Sequence, residues 1–452
     1  MHTKDMTQGK PFQLLLMFAI PLILGNVFQQ CYTMVDTIIV GQGVGVEALA
    51  SIGAGDWLNW MVVGLVQGLT QGFSIEVSQA FGEKNEERLS SAIFHSIALS
   101  IITATFLFIF TQFAVHPALT LLGTPLDIIG GTLTYLRTIY AGIFFVTAYN
   151  LTASLLRALG NSKTPLMAMI VASITNIVLD LVFVFVFHWG IFGAAFATIL
   201  SQGLASLICI YVLSKTVKLN LKQKLQQNKV IRLMKLGVPM AFNVIVISLG
   251  GLIVQFIVNG YGMIFVAGYT AANKMFGILE SAGMSFGYAI STYTGQNLGA
   301  KKIKRIDQGI HAGILFSIVV SSAIGICMLV FGKNILSMFI AKDAVDFEAV
   351  ITVAFRCLSI MAYNLPFLYF LHLYRNALQG IGNTNSTLIS GLVELGMRIL
   401  AVIFLPGLIG SDGVFYAEVL AWIGASIYLV ICFYGERKKL NNLTLIDESV
   451  SM

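Results

Sequence analysis

Asp36, Asn176, Asp180 and Thr198 place side-chain oxygens in stretches that are otherwise apolar and long enough to cross a bilayer. A lone carboxylate in hydrocarbon costs roughly 3 kcal/mol on insertion scales, so two of them at matching depth ask for a resident cation or proton. Two neighbouring carboxylates repel. A shared proton or a metal ion relieves that repulsion, and Asn176 and Thr198 add neutral oxygens that a hard cation uses directly while a proton needs no such shell. The set therefore points to ion-coupled transport, with a slight preference for sodium over the proton.

Helical spacing makes the meeting of these four residues feasible. Asn26, Gln29, Thr33 and Asp36 follow one another at intervals of three, four and three, forming one polar stripe on an otherwise apolar first helix. In the fifth apolar run, Ser173, Asn176 and Asp180 share a face, and the sixth run carries Thr198 and Gln202 one turn apart. With helices of 1.5 Å rise per residue, the depths of Asp36, Asp180 and Thr198 agree within roughly 6 Å.

The elements that must position them are membrane helices. The chain has 452 residues, 57% hydrophobic and 11% charged, against roughly one-quarter charged in soluble domains; its mean hydropathy is +0.85. Irregular backbone is excluded from lipid, and no alternating barrel pattern appears, so the fold class is an all-α membrane protein. The spans are predicted at 12–40, 54–80, 89–115, 131–157, 165–188, 191–214, 231–260, 264–297, 308–331, 348–380, 386–407 and 413–434. Of the 27 Lys and Arg residues, 21 fall in the N-terminus, the tail and alternate loops, including seven in 214–236 and Arg375 in 375–385. The opposite loops, such as 41–53, 116–130 and 332–347, hold only Lys333 and Lys342. Both termini are thus expected in the cytoplasm. The net charge of +6 follows from this topology and gives no ground for a nucleic-acid partner. The five cysteines, Cys31, Cys209, Cys327, Cys357 and Cys432, have no paired spacing and read as packing residues. His95, His116, His188 and His311 share no ligand spacing, and no phosphate loop or nucleophile elbow appears, so an enzyme is not expected.

The chain repeats itself. FGEKNEERL at 81–89 returns as LGAKKIKRI at 298–306, LRALGN at 156–161 returns as LQGIGN at 378–383, and Pro21 corresponds to Pro239, all at nearly one offset. Six helices per repeat give two halves of one orientation, related by an axis along the membrane normal and enclosing a central cleft. With FAIPLILGNVFQQCYTMVDTIIVG at 18–41, SQAFG at 78–82, LRALGNSKTP at 156–165 and TGQNLGAKK at 294–302, the chain resembles the multidrug and toxic compound extrusion (MATE) family across residues 7–434.

That resemblance implies two pseudo-symmetric six-helix bundles, V-shaped around a central cleft: an N-lobe over 1–214 and a C-lobe over 231–434, joined by a basic cytoplasmic linker at 215–230 and followed by a tail at 435–452. It implies multidrug export of amphiphilic, cationic organic compounds against inflowing sodium or protons. No cofactor is implied beyond the coupling ion, and the setting is the inner membrane of a prokaryote. Asp36, Asn176, Asp180 and Thr198 match the family's N-lobe cation-site pattern. Small amphiphilic substrates and membrane lipids are the expected partners, with the chain acting as a monomer.

Carried through the repeat, Asn176 maps to Arg398, Asp180 to Val402, Thr198 to Glu418 and Asp36 to Val254. The second half has exchanged two carboxylates for a guanidinium and a glutamate. Arg398 is expected to bond Glu418, with Glu394 one turn away, although a purely local pair with Glu394 satisfies helix geometry equally well. One branch of the family also uses acidic residues in the seventh and tenth helices, but 231–262 and 350–380 contain no Asp or Glu. Lys274 and Glu280 on the eighth helix are candidates for substrate or gating contacts, or for a tether to each other or to a neighbouring helix. Seventeen Met and 32 Phe suit an adaptable cleft, but no individual one is assigned. The main rival is a lipid-linked oligosaccharide flippase, which needs a basic cavity for pyrophosphate; the cations expected inside the spans are only Arg137, Lys274, Arg356 and Arg398.

Overall fold

Backbone polar groups inside hydrocarbon have only one another as partners, and the apolar runs accordingly close into helices. The computed structural model describes residues 3–220, 222–337 and 346–450, the side chains of Cys31, Val46 and 443–450 excepted; Lys342 lies outside the described residues. The elements are α1 (Pro11–Gly43), α2 (Val46–Glu83), α3 (Glu86–Leu121), α4 (Leu126–Ala141), α5 (Ile143–Ala158), α6 (Lys163–Asp180) with a π-helical turn at Leu181–Val186, and α7 (Gly190–Thr216). The second half contains α8 (Gln227–Asn259), α9 (Met263–Gly299), α10 (Ile303–Leu336), α11 (Phe347–Ile381), α12 (Thr384–Ile409) and α13 (Asp412–Val450). No strand occurs among the described residues. Among the described residues ten segments are long and apolar enough to span a bilayer, and the pair α4 and α5 makes an eleventh. α9, of 37 residues, is also long enough but less apolar.

The span expected at 131–157 is not one helix. It breaks at Gly142 between α4 and α5 with a bend of 52°. A Cβ at Gly142 would lie 2.5 Å from Ile199 of α7, so the glycine lets α7 press into the helix. There the Gly142 N–H is shared between the carbonyls of Ile139 at 3.0 Å and Thr138 at 3.4 Å. At the other end of the chain, the expected tail begins as a direct continuation of α13, and Arg437 bonds Asp307 of α10 through Nε at 2.5 Å and Nη2 at 2.7 Å.

The repeat is written into backbone conformation. Lys84 and Lys301, equivalent in the two halves, both adopt left-handed φ, 59° and 56°, where glycine is the usual choice. Gly160 and Gly382 do so at 82° and 97°. In the next turn Asn161 Oδ1 accepts the Thr164 N–H at 3.0 Å, as Asn383 Oδ1 accepts the Ser386 N–H at 3.2 Å.

The chain divides into two compact units. One comprises Met1–Asp5 and Ile20–Ala241, the other Met6–Ala19 and Phe242–Met452. The boundaries therefore fall inside α1 and α8 rather than in the 215–230 linker. In the first unit, the linker is held on α3 by His95, which is fully buried. Its Nε2 accepts the Gln226 N–H at 3.0 Å and its Nδ1 sits 2.8 Å from the Ser91 carbonyl; Lys229 Nζ donates to Ser91 Oγ at 2.7 Å. Glu76, buried near the end of α2, is gripped by Arg88 of α3 at 2.9 Å and Arg232 of α8 at 2.7 Å.

Candidate functional site

In the first unit, α1, α2, α6 and α7 converge on an apolar cluster of Ile39, Val40, Ala48, Val184 and Ala194, with Val35, Ile52, Ile177 and Ile191 packed against it. Three of the four predicted site residues sit beside or one turn from one of these, and Asp180 lies one turn before Val184. Asp36 follows Val35, Asn176 precedes Ile177, and Thr198 lies one turn beyond Ala194, whose carbonyl accepts its hydroxyl at 3.1 Å. The apolar wall fixes the depth of all three helices, and polar side chains emerge on one side of it.

The carboxyl groups of Asp36 and Asp180 meet. Asp180 is 0% exposed and Asn176 2%. Apart from the other acid, no group hydrogen-bonds either oxygen of Asp180 or Oδ1 of Asp36, and both side-chain atoms of Asn176 and the Ser173 hydroxyl are buried without a partner. Among the described residues no Lys, Arg or His acts on either acid. Stranding that many polar atoms would cost about 1–3 kcal/mol apiece, more for a charge. A positive guest coordinated by the carboxylates and the Asn176 oxygen removes most of that cost, so the residues fit a small hard cation or a shared proton. Among the described residues no three of His, Cys, Asp and Glu converge as a transition metal would require. The Thr198 hydroxyl proton is spent on Ala194, leaving its oxygen lone pairs as the only group it can offer. One turn on, Gln202 Oε1 is buried and unpaired.

Three residues near this pair were not singled out by the sequence pattern. Tyr32, one turn before Asp36 on α1, lies within electrostatic reach of both acids. Asp56 on α2 is within reach of Asp36, and Tyr135 on α4 is within reach of Asp36 and Asp56. Asp56 stands near the start of its apolar run, where an acid passes for an interfacial residue; its distance along the chain from the N-terminal end of α2, similar to that of Asp36 from the C-terminal end of α1, was the available signal.

The second unit is arranged differently. Arg398 on α12 sends Nε to both oxygens of Glu418 on α13 at 3.1 Å and Nη2 to one of them at 2.8 Å. Glu394, one turn before Arg398, is 3.8 Å from it and is instead bonded by Arg375 of α11, which also donates to Ser390. Arg375 is 7% exposed, so the residue expected in a cytoplasmic loop is an internal cation. Conversely, Arg137, Lys274 and Arg356, expected inside, are not buried, Arg356 pairing with Asp412. Glu280 on α9 reaches His372 of α11 at 3.5 Å, not Lys274.

The family model for MatE matches residues 21–182 and again 239–404, once in each half. The chain belongs to the MatE family. It is therefore a multi-pass membrane transporter, not an enzyme. Two proteins of Bacillus subtilis (strain 168) are similar to it: the probable multidrug resistance protein YoeA, 30% identical with 72% of this chain and 73% of that one aligned, and the probable multidrug resistance protein YpnP, 31% identical with 77% and 79% aligned. Among solved structures, a MOP superfamily transporter from Pyrococcus furiosus, described as having a binding pocket of reverse polarity, matches with a TM-score of 0.91 at 21% identity, covering 98% of this chain and 99% of that one. A MATE crystallised in complex with MaL6 matches at 0.90, also 21% identical, covering 98% and 100%. At that identity the structures establish the twelve-helix MATE fold and nothing further.

Proposed function

We propose that this MATE-family transporter is a secondary active antiporter that exports amphiphilic organic cations in exchange for sodium ions or protons by alternating access, from the inner membrane of a prokaryote with both termini cytoplasmic. The observation that carries this reading is the meeting of Asp36 and Asp180 with no internal counter-charge, beside the unpaired Asn176. An arriving cation is held by the two carboxylates, with the Asn176 oxygen and the Thr198 lone pairs as neutral ligands. A proton would instead be shared between the acids alone.

Filling the site removes the repulsion between α1 and α6 and favours one arrangement of the first unit; emptying it favours the other. One inward charge gains about 2.3 kcal/mol per 100 mV, and a tenfold gradient about 1.4 kcal/mol. Exchange for a single monovalent cation cancels the voltage term, so strong export calls for two coupling ions per substrate or a neutral substrate. The flippase alternative lacks its anion-binding charge: among the described residues the buried arginines Arg375 and Arg398 are already committed to Glu394 and Glu418.

Reconstituted vesicles with separately imposed sodium and pH gradients decide the coupling ion. Asp36→Asn combined with Asp180→Asn is expected to abolish gradient-driven dye efflux. Equal efflux by that variant and the parent would refute the coupling role.

A further inference from the structure

Asp180 is the last residue of α6, and the helix changes register at that point. The Leu181 N–H is divided between the carbonyls of Ile177 and Val178. Over Leu181–Val186 the turn is π-helical: the Phe187 N–H bonds the Val182 carbonyl, five residues back, at 2.9 Å, and the Trp189 N–H bonds the Phe183 carbonyl, six back, also at 2.9 Å. Single π turns are rare and concentrate at functional sites.

Two sets of contacts hold this turn. On its far side the Phe183 ring stacks on Trp189 with centroids 4.9 Å apart and lies 5.8 Å from Phe196 of α7, and His188 takes a left-handed φ of 54°. On its near side the turn sits on the outer end of α1, the helix that carries Asp36. Val184, 1% exposed, packs with Ile39 and Val40. A Cβ at Gly43 would lie 2.5 Å from Val184 Cγ1 and 3.0 Å from the Phe185 ring. The turn is thus covalently continuous with one acid and seated on the helix of the other, two turns from it.

We propose that the π turn Leu181–Val186, seated on Gly43 through Val184, sets the spacing of Asp36 and Asp180 and so determines how tightly the coupling cation binds. This rests on the reading of those acids given above. Gly43 and Val184 are positioning residues, because they touch no guest and act only through the carboxylates. A change of one residue in helical register rotates the helix before the turn by about 100° relative to the segment beyond it. That later segment is anchored to α7 by the aromatic stack, so the rotation is expressed at Asp180. Gly43 is the contact that admits this register, since any side chain there pushes the turn off α1.

The test uses the full chain in vesicles, with sodium and protons as the probes. Gly43→Ala is expected to raise the half-saturating concentration of the coupling cation by about tenfold, the scale of outer-ligand changes at ion sites, while binding of a fluorescent organic cation without a gradient stays at the parent level. Val184→Ala added to Gly43→Ala removes the clashing methyl groups and should bring the value back toward the parent. In a background of Trp57→Phe, Trp60→Phe and Trp422→Phe, Trp189 is the sole indole, and its emission should titrate with the cation at a midpoint displaced by Gly43→Ala. Unchanged midpoints in Gly43→Ala, or no restoration by Val184→Ala, overturn the proposal. Should Gly43→Ala not fold, Val184→Ala alone, which empties the contact without a clash, must still shift the midpoint severalfold, and an unshifted one is equally fatal. A cation response that survives Asp180→Asn overturns the reading of the acid pair itself and takes this inference with it.

Discussion

At the positions related by the repeat, the first half carries Asp36, Asn176, Asp180 and Thr198 where the second carries Val254, Arg398, Val402 and Glu418. The two valines are 0% and 5% exposed and pack as ordinary core. Arg398 and Glu418 form a forked ion pair, and Glu394 with Arg375 extends it to four charges summing to zero across α11, α12 and α13. The first half has the opposite arrangement, with acids meeting and no cation acting on them from among the described residues. A buried charge with a permanent partner has nothing to exchange, whereas one without a partner borrows it from solution. On the reading proposed above, one architecture yields a clamp in one bundle and an exchangeable site in the other, according to whether the counter-charge is covalent.

The sharpest way to break this contrast is to unpair the clamp. Arg398→Ala leaves the largely covered Glu418 without its ion partner, and should cost about 3–5 kcal/mol of stability, seen as a large loss of melting temperature in detergent. Arg398→Met with Glu418→Leu should recover most of it, because an ion pair of this kind is often replaceable by apolar residues of similar volume. If Arg398→Ala instead folded normally and transported without regard to the driving ion, the clamp would be a coupling site and the contrast would disappear.

The reverse sign is expected in the first half. Asp180→Asn removes an unpartnered charge and should raise the melting temperature in ion-free buffer. The same variant should lose the stabilisation that saturating coupling cation gives the parent, about 2.7 kcal/mol at a hundredfold excess over the dissociation constant. A smaller effect is expected at Asp56, which reaches Asp36 only through space. Asp56→Asn should raise the half-saturating cation concentration severalfold without abolishing efflux, and an unaltered titration would exclude Asp56 from the field of the site. The smallest effect belongs to Glu83 at the C-terminal end of α2, where the hydrogen bond from Arg88 holds the carboxyl below the ordinary glutamate range. Its contribution is present at neutral pH and lost as the pH falls through that depressed value, so the slight destabilisation by Glu83→Gln should vanish in acid.

Much of this was legible in the sequence because hydrocarbon is an unforgiving solvent. Any acid deep in an apolar run must be accounted for, and helical spacing alone puts Asp36, Asn176 and Asp180 on compatible faces. The nearly constant offset between the halves likewise anticipates the paired left-handed residues at Lys84 and Lys301. Arg375 was misjudged because hydropathy assigns a residue by its distance from a helix end, while its true environment depends on Glu394, contributed by another helix. The bend at Gly142 follows from the approach of Ile199, which belongs to a helix much later in the chain. The π turn left no mark in LVFVFV, a string that satisfies an α-helix equally well; its packing, on Trp189 and Phe196 on one side and on Gly43 on the other, comes from outside that string.

Lys84 and Lys301 have a consequence for how the chain enters the membrane. A left-handed conformation costs a residue with a side chain about 1–2 kcal/mol, and glycine at either position would relieve it. With both termini cytoplasmic, as proposed above, glycine would also remove a positive charge from a hairpin on the side where lysine and arginine orient the helices during insertion. The finished protein therefore retains, at matching corners of its two halves, a conformational penalty that serves its biogenesis: relaxing both corners should produce a more heat-resistant molecule from those chains that insert correctly, and a larger fraction that insert upside down.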